Sequence, residues 1–274
     1  MRAVMESSPV PDRLSLDEIR AFWTDQAVAH GTSHAASWSD RPVIEMEIAE
    51  LLSRLGDGDR VLDVGCANGY STMQFAARRR LPIRGLDYIP EMIEQAHAGL
   101  AQIGDQLLGD VEFAVGDITA LAEPDAIYDK VVVIRVVINL GDWEAQLRGL
   151  RECARVLKPG GLLLLSEATV QGWANLNAMR AEWGLPQIPV PGFNTYLDED
   201  RVVAEARPEL ELVEIVNFAS TYFVMTRVAK PLLAAATSAP VDVADPSSHW
   251  NRWASRLPAA GDYGTQKLFV FRRR

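Results

Sequence analysis

Cysteine is scarce in this sequence of 274 residues, which contains only Cys66 and Cys153. Two cysteines cannot build the framework of several disulfides that small secreted domains use, and no C-x-x-C pair is present to hold zinc. This usage predicts a reducing compartment, and we expect the protein in the cytoplasm. No H-x-x-x-H or paired-aspartate motif stands at a predicted strand end, so the sequence predicts no metal site.

A surplus of positive charge is also missing, because the formal net charge is −10. Proteins that bind DNA or RNA present basic surfaces, so the composition argues against a nucleic-acid partner. No apolar run approaches the roughly 18 residues of a membrane helix, and residues 1–11 lack the apolar core of a signal peptide. With 48% hydrophobic and 23% charged residues, the composition is typical of a globular protein with a large core.

One stretch organises the rest of the chain. Residues 60–64 (R-V-L-D-V) are a short apolar run, Gly65 and Gly69 interrupt it, and apolar residues return at helical spacing over 73–76. This pattern predicts a strand, a tight turn and a helix. Glycines at such a turn accept positive φ and let a ligand approach the backbone at the helix N-terminus. The stretch therefore predicts a site for a nucleoside-type ligand.

Two nucleoside ligands compete for this turn. A dinucleotide site prefers G-x-G-x-x-G and presents it to a pyrophosphate. Here the glycines read G-x-x-x-G, and Asp63 stands two residues before the first, where it would repel a phosphate. S-adenosylmethionine carries a sulfonium, an ammonium and a ribose diol but no phosphate, so nearby carboxylates favour it. The acids therefore favour the sulfonium cofactor.

The turn resembles the first motif of the class I S-adenosylmethionine-dependent methyltransferases, a hydrophobic pair followed by D-x-G-x-G-x-G. Asp63, Gly65 and Gly69 are in register, and Ala67 replaces the middle glycine. Asp87 ends the predicted second strand 22 residues beyond Gly65, at the spacing that places a carboxylate on the ribose hydroxyls.

The resemblance continues to about residue 167, through a Gly-Asp-Ile end of strand three and an L-K-P-G-G turn before strand five. It implies that Asp117 bonds the adenine amino group and that the Ile118 backbone meets a ring nitrogen. The predicted cofactor contacts are Asp63, Gly65, Ala67, Gly69, Asp87, Tyr88, Met92, Asp117, Ile118 and Arg135.

The predicted fold class is α/β: a Rossmann-like, doubly wound, seven-stranded and mostly parallel sheet with an antiparallel last strand. We expect a leader and helical lid over 1–55, called the arm below, and a methyltransferase core over 56–274. The core carries a substrate cap at 168–200 and an insertion at 229–264. Strand four is predicted over 128–140, strand six near 210–223 and strand seven over 265–272 at the sheet edge. Residues 1–13 are predicted to be a loose leader, and residues 238–248 to be disordered.

Methyl transfer requires alignment of the acceptor, the methyl group and sulfur, and an alcohol or phenol acceptor benefits from a base. A histidine is the favoured base because its free pKa lies near neutral pH. The predicted catalytic candidates are His249, His34 and Glu167. The predicted substrate contacts are His30, Trp38, Asn139, Asn194, Tyr196 and Tyr222.

The leading functional hypothesis is transfer of a methyl group to an oxygen of a small hydroxylated metabolite or sugar, by a monomer or homodimer. The alternatives are methylation of a small-molecule nitrogen, methylation of RNA or protein, and a cofactor-binding module without catalysis. The acidity argues against RNA, and strand four ends in R-V-V-I rather than the N/D-P-P-Y-type sequence used for exocyclic amines.

Overall fold

The computed structural model describes residues 13–237 and 242–274. The predicted leader lies outside the described residues except for Arg13, and so do residues 238–241 of the segment predicted to be disordered. The arm begins with helix α1 (Leu16–His30) and continues through a 3-10 turn (His34–Ala36) to helix α2 (Arg41–Leu52). Ser15 and Glu18 form a reciprocal capping box at the start of α1. This confirms the predicted helix start, because the box satisfies backbone N–H groups that the first turn leaves free.

Seven strands form one sheet in the described part of the chain, in the order β3-β2-β1-β4-β5-β7-β6. Strands β1 to β5 pair in parallel, and β7 is antiparallel to both β5 and β6. This confirms the predicted fold class. The strands are β1 (Val61–Val64), β2 (Pro82–Asp87), β3 (Asp110–Val115), β4 (Tyr128–Ile134), β5 (Leu157–Ala168), β6 (Leu210–Val216) and β7 (Gln266–Arg273).

Helices cover both faces of the sheet. This is seen in the strands, where alternate residues belong to different core clusters. In β4, Val131 and Val133 pack in one cluster, whereas Val132 and Ile134 pack in the other. A strand buried on both faces reads as an unbroken apolar run, as residues 131–134 of β4 do. The remaining helices are α3 (Tyr70–Ala76), α4 (Pro90–Ile103), α5 (Trp143–Val156), α6 (Val170–Glu182), α7 (Glu199–Ala206), α8 (Ser220–Val224), α9 (Lys230–Thr237) and α10 (His249–Ala254), with a π-helical turn (Met225–Ala229) between α8 and α9.

Three predicted strand features are wrong. Strand four ends at Ile134 rather than residue 140, because Arg135 adopts a φ of 56° and a 3-10 turn (Val137–Asn139) follows. Strand six ends at Val216, and helix α8 follows it. The apolar residues of α8 pack in the core, so the sequence there resembles a continued buried strand. The sheet edge is formed by β6, since β7 lies between β5 and β6.

The arm is anchored to the segment after β6 by a buried polar cluster. Asp40, which is 2% exposed, accepts hydrogen bonds from the Tyr222 hydroxyl (2.6 Å) and from Arg227 Nη2 (2.6 Å). Asn251 Nδ2 in turn donates to the Tyr222 hydroxyl at 2.9 Å. This cluster fixes the start of α2 against α8 and α10, and so holds the arm at the sheet end where the first four parallel strands finish.

Candidate active site

A cavity of about 260 Å³ opens where β1, β2, β3 and β4 end. Side chains and backbone from these strand ends form its floor, and residues of the arm form its roof. The carboxyl ends of strands at a reversal of strand order are where open α/β sheets bind ligands. The lining residues are Leu16, Trp23, Ser37, Asp63, Val64, Gly65, Cys66, Ala67, Asn68, Tyr70, Ser71, Asp87, Tyr88, Ile89, Met92, Gly116, Asp117, Ile118, Thr119, Ile134, Arg135, Val136, Asn139, Leu140, Ala145 and Arg148.

The glycine turn is tightly packed against the neighbouring strand end. Gly65 has a φ of 73°, and a Cβ built on it would overlap the Val136 side chain. Gly69 has the same φ and lies against the Phe113 ring. Both positions therefore require glycine for conformation and for space. Ala67 also has a positive φ, of 49°, which turns its N–H towards β2.

Asp87 shapes this turn through its carboxylate. Its Oδ2 accepts the Ala67 N–H at 2.9 Å, and its Oδ1 accepts the Ile89 N–H at 2.9 Å. Burial raises the pKa of Asp87 to about 6, although these backbone N–H groups oppose that shift. Asp87 therefore lies at the cavity wall with both oxygens already ordered by backbone.

Asp63 presents a carboxylate oxygen that has no hydrogen-bond partner. The residue is 1% exposed, and its Oδ2 accepts from the Thr72 hydroxyl at 2.6 Å, whereas Oδ1 is buried and unpaired. Burial and the nearby carboxylates of Asp87 and Glu47 raise the pKa of Asp63 to about 7. An unpaired buried oxygen beside a cavity is suited to a cationic donor from a ligand.

Four predicted cofactor residues line the end of the cavity formed by β2 and β3. Asp117 is exposed, and its Oδ1 accepts from the Thr119 N–H and hydroxyl at 2.8 Å each, which leaves Oδ2 for a ligand. Ile118 and Met92 are buried apolar walls, and Tyr88 is 38% exposed. This end combines a carboxylate with apolar surface, as a nucleobase pocket does.

Arg135 closes the cavity at the end of β4. Its Nη1 pairs with the buried Glu47 Oε2, and its guanidinium carbon lies 5.1 Å from the centre of the Trp38 ring. Glu47 Oε1 also accepts from the Ser166 hydroxyl (2.5 Å) and Gln266 Nε2 (3.1 Å). The arm therefore supplies both the ion-pair partner and the stacking partner of this arginine.

The roof of the cavity is hydrogen-bonded to its floor. Trp23 Nε1 in α1 donates to Asn139 Oδ1 at 2.9 Å. Asn68, within the glycine turn, donates its side-chain N–H groups to the carbonyls of Gly31 and Ser33, both at 2.7 Å. These bonds hold α1 and the residues after it over the ligand-binding turn.

The structure brings most of the predicted cofactor residues to one cavity. Gly69 is the exception, since it packs behind the turn against Phe113. Of the predicted substrate residues, Asn139 lines the cavity. The roles predicted for all of these residues stay predictions.

The other predicted site residues lie away from the cavity wall. His30 and His249 are exposed on α1 and α10, and His34 Nδ1 is 3.1 Å from the Trp38 carbonyl oxygen. Glu167 is fully buried, and its Oε1 accepts the N–H groups of Val136 (2.8 Å) and Val137 (2.7 Å). Geometry gives no support to a role for these four residues at a reacting atom.

The remaining predicted substrate residues also lie outside the lining. Trp38 stacks on the Arg135 guanidinium, and Tyr222 belongs to the Asp40 cluster. Tyr196 packs on the core, and Asn194 Oδ1 is buried without a partner. Adjacent residues of the cap do reach the arm, since Phe193 stacks on Phe22 with ring centres 4.7 Å apart.

Several residues that line the cavity were not identified from the sequence. They differ in whether a local sequence pattern could have revealed them. Asn68 could have been found because it stands inside the glycine turn. Tyr70 and Ser71 begin the helix that follows the turn. Trp23, Ser37 and Leu16 belong to the arm, whose approach to the sheet depends on contacts between distant residues. No local pattern identifies those three.

Comparison with known proteins agrees with this geometry. A family model described as a methyltransferase domain matches residues 61–161. The chain is 31% identical over 180 residues to a demethylmenaquinone methyltransferase of Deinococcus radiodurans, covering 61% of this chain and 70% of that protein. It is 30% identical over 144 residues to the 27-O-demethylrifamycin SV methyltransferase of Amycolatopsis mediterranei, covering 49% of this chain and 50% of that protein.

A solved structure shares the fold across most of the chain. The magnesium protoporphyrin IX methyltransferase from Synechocystis, with bound S-adenosylhomocysteine, superposes with a TM-score of 0.62 at 12% identity, covering 95% of this chain and 100% of that one. The first curated relatives are matched over 50%, 68%, 58% and 55% of their lengths, so the chain spans between half and two thirds of most of them. The glycine turn, the carboxylates at consecutive strand ends and these matches agree: the chain belongs to the class I S-adenosylmethionine-dependent methyltransferases.

Proposed function

We propose that this enzyme transfers a methyl group from S-adenosylmethionine to an oxygen atom of a small hydroxylated molecule. The observation that carries the cofactor assignment is the unpaired, buried Oδ1 of Asp63 at the cavity wall. The ammonium group of the cofactor would supply the missing donor. A pyrophosphate in the same place would be repelled, which disfavours a dinucleotide.

The other lining residues fit the rest of the cofactor. The carboxylate of Asp87, at the end of β2, would accept from the ribose hydroxyls, which is the role that its position in a βαβ unit predicts. Asp117 Oδ2 and the Ile118 backbone would hold the adenine between apolar walls that include Met92. Gly65 lines the cavity and has no side chain, so a ligand can approach the backbone of the turn there.

When bound, the cofactor supplies an electrophilic methyl group on a sulfonium, which is a good leaving group. The residues of this chain bind, orient and exclude water. Asp63, Asp87 and Asp117 fix the position of the cofactor, and the hydrogen bond from Trp23 to Asn139 keeps α1 over the cavity. Such positioning converts a bimolecular displacement into a step between aligned groups.

Oxygen as the acceptor atom is supported by the activities after which several relatives are named. The rifamycin enzyme is a 27-O-demethylrifamycin SV methyltransferase, and further relatives at 28–29% identity are named as O-methyltransferases. A small acceptor is supported by the size of the cavity and by the net charge of −10, which disfavours RNA. Methylation of a small-molecule nitrogen is the alternative. We retain the cytoplasmic location as a prediction. In the described ranges, 13–237 and 242–274, no helix is long and apolar enough to cross a membrane.

Calorimetric titration of the purified protein with S-adenosylmethionine, S-adenosylhomocysteine and NAD tests the cofactor. We expect micromolar binding of both adenosyl ligands and no binding of NAD. A screen with radiolabelled methyl groups against phenols, sugars and amines then tests the acceptor atom. Labelled product from amines alone would show that nitrogen, not oxygen, is the acceptor atom. Binding of NAD would overturn the cofactor assignment.

A further inference from the structure

No ready base faces the cavity where β4 ends. All four histidines of the chain lie within the described residues, and none lines the cavity. Burial raises the pKa of Tyr88 to about 12, and burial also raises those of Tyr70 and Cys66. The acids Asp63, Asp87 and Asp117 are the groups that the proposed function assigns to the cofactor. An acceptor hydroxyl at the end of β4 would therefore meet Arg135 rather than a base.

Contacts with other residues hold both the backbone and the side chain of Arg135. Its φ of 56° is uncommon for a residue other than glycine and carries a cost that surrounding contacts must offset. Its N–H donates to the Ser166 carbonyl (2.9 Å), and its carbonyl accepts from Asn139 Nδ2 (3.0 Å). Its guanidinium pairs with Glu47 and stacks on Trp38. Backbone strain held in this way is characteristic of functional positions.

The guanidinium keeps hydrogen-bond donors for a ligand. Its hydrogen bond and ion pair with Glu47 engage Nη1, and Nε and Nη2 are bonded to no described residue. The side chain is 15% exposed and lines the cavity. A planar fork with free donors is the group that best matches an anionic oxygen acid.

We infer that Arg135 is the acceptor-binding residue and selects acceptors whose reacting oxygen is acidic, such as phenols, stabilised enols and carboxylic acids, over aliphatic alcohols and sugars. This inference rests on the proposed function and narrows its acceptor. It also differs from the cofactor contact that the sequence predicts for Arg135.

The chemistry balances without a base on the protein. The acceptor hydroxyl loses its proton to solvent, and its oxygen anion lies against the guanidinium. The oxygen then forms a bond to the methyl carbon as the carbon–sulfur bond breaks, and the electron pair of that bond stays on sulfur. One proton is released per methyl group transferred.

The test uses para-nitrophenol, whose anion absorbs visible light, bound to the full chain together with S-adenosylhomocysteine. Titration with pH measures the pKa of the bound phenol without turnover. We expect this pKa to fall by about one unit or more in the natural protein, because the free N–H donors of Arg135 favour the anion even though Glu47 pairs with the same guanidinium. The shift should vanish in Arg135→Gln and persist partly in Arg135→Lys. Arg151→Gln, which removes an equal charge from the exposed face of α5, should leave it unchanged.

The affinity for S-adenosylhomocysteine separates the two roles of Arg135. We expect the Arg135→Gln protein, checked for folding by thermal denaturation, to bind it within about twofold of the natural protein. A tenfold loss would make Arg135 a cofactor ligand and overturn the inference. So would para-nitrophenol that fails to bind, or that binds with an unshifted pKa. If Arg135→Gln does not fold, the smaller pKa shift expected in Arg135→Lys tests the inference, and a shift equal to that of the natural protein would overturn it.

Activity provides an independent readout. With radiolabelled cofactor, phenols of graded pKa should give rates whose pH dependence follows the pKa of each phenol. A pH profile that stays the same for every phenol, or comparable transfer to sugars, would overturn the inference while leaving methyl transfer to oxygen intact. Absence of S-adenosylhomocysteine binding by the natural protein would instead overturn the proposed function.

Discussion

A buried carboxylate oxygen without a donor destabilises the ligand-free protein, and Asp63 Oδ1 is such an atom. Burial, together with the nearby carboxylates of Asp87 and Glu47, raises the pKa of Asp63 to about 7, so the free site carries a proton for part of the time at neutral pH. A cationic ligand group would bind the ionised form and displace that proton. The same unpaired oxygen therefore destabilises the ligand-free protein and makes the site specific for a cationic ligand group.

We predict that Asp63→Asn weakens binding of S-adenosylhomocysteine by roughly tenfold or more, because a charged hydrogen bond is worth about 1.5–3 kcal/mol. In the natural protein the affinity should increase as pH rises through about 7, where Asp63 ionises. In the Asp63→Asn protein this increase should be absent, because the amide does not titrate. Calorimetry at three pH values measures both effects, and an unchanged affinity at pH 8 would contradict the assignment.

Asp87 has a structural role in addition to the ligand role that its spacing predicts. Asp87→Ala should weaken S-adenosylhomocysteine binding by about 1–3 kcal/mol and also lower the free energy of unfolding by about 1–3 kcal/mol. The second loss follows because two backbone N–H groups lose their acceptor. Chemical denaturation and calorimetry measure the two losses. Asp125→Ala, a mostly exposed ion-pair control, should change stability by less than about 1 kcal/mol.

Residues at strand ends could be predicted because chain position alone places them. Asp63 and Asp87 lie at the ends of β1 and β2, and Asp117 and Arg135 come just after β3 and β4. The carboxyl ends of these parallel strands share one edge of the sheet, and all four residues line the cavity. The histidines could not be placed in this way. His34 and His249 lie in segments whose position depends on contacts between distant parts of the chain, so their chemistry alone suggested a role.

At the scale of elements, the turn after β1 depends on the residue opposite it. Gly65 and Val136 are adjacent in space, and the short 3-10 turn after Arg135 brings Val136 there. The mostly apolar run 131–140, interrupted by Arg135 and Asn139, predicts a longer strand. The sequence pattern does not record that Glu167 accepts the N–H groups of Val136 and Val137. Glu167, whose hydrogen bonds hold the chain where β4 ends, belongs to β5. The sequence near residue 135 therefore does not show where the strand stops.

We predict that Gly65→Ala lowers the free energy of unfolding by about 3 kcal/mol or more, because left-handed strain and overlap with Val136 act together. Gly58→Ala is the matched control, since its φ is 84° and nothing lies within 4 Å of the added Cβ. It should lose about 1–2 kcal/mol, from strain alone. Denaturant titration measures both changes. Adding Val136→Ala should recover part of the Gly65→Ala loss, and no recovery would show that overlap is unimportant.

At the scale of the whole molecule, buried acids govern how stability varies with pH. Burial raises the pKa of Glu167 to about 8, and Asp63 and Asp87 are raised to about 7 and 6. The folded state therefore binds more protons than the unfolded chain between pH 4 and 8. Stability decreases with pH wherever the folded state binds more protons.

We predict that the free energy of unfolding of the ligand-free protein falls by about 3 kcal/mol or more from pH 5 to pH 8, since each unit of pKa shift corresponds to roughly 1.4 kcal/mol. Glu167→Gln should make this decline shallower, because it removes one of the raised groups while an amide oxygen can still accept the backbone N–H bonds. Glu144→Gln, on the exposed face of α5, is the control. Stability that rises over this pH range would contradict the prediction.

The contact between the arm and the segment after β6 joins residues far apart in sequence. Asp40 meets Tyr222 and Arg227, which are 182 and 187 residues further along the chain. Closing so large a loop costs more entropy than pairing neighbouring strands, and contacts of this kind slow folding. During refolding the sheet should form first and the roof of the cavity last. Recovery of ligand binding should therefore lag behind recovery of secondary structure, and we expect the binding site to be the slowest part of this molecule to assemble.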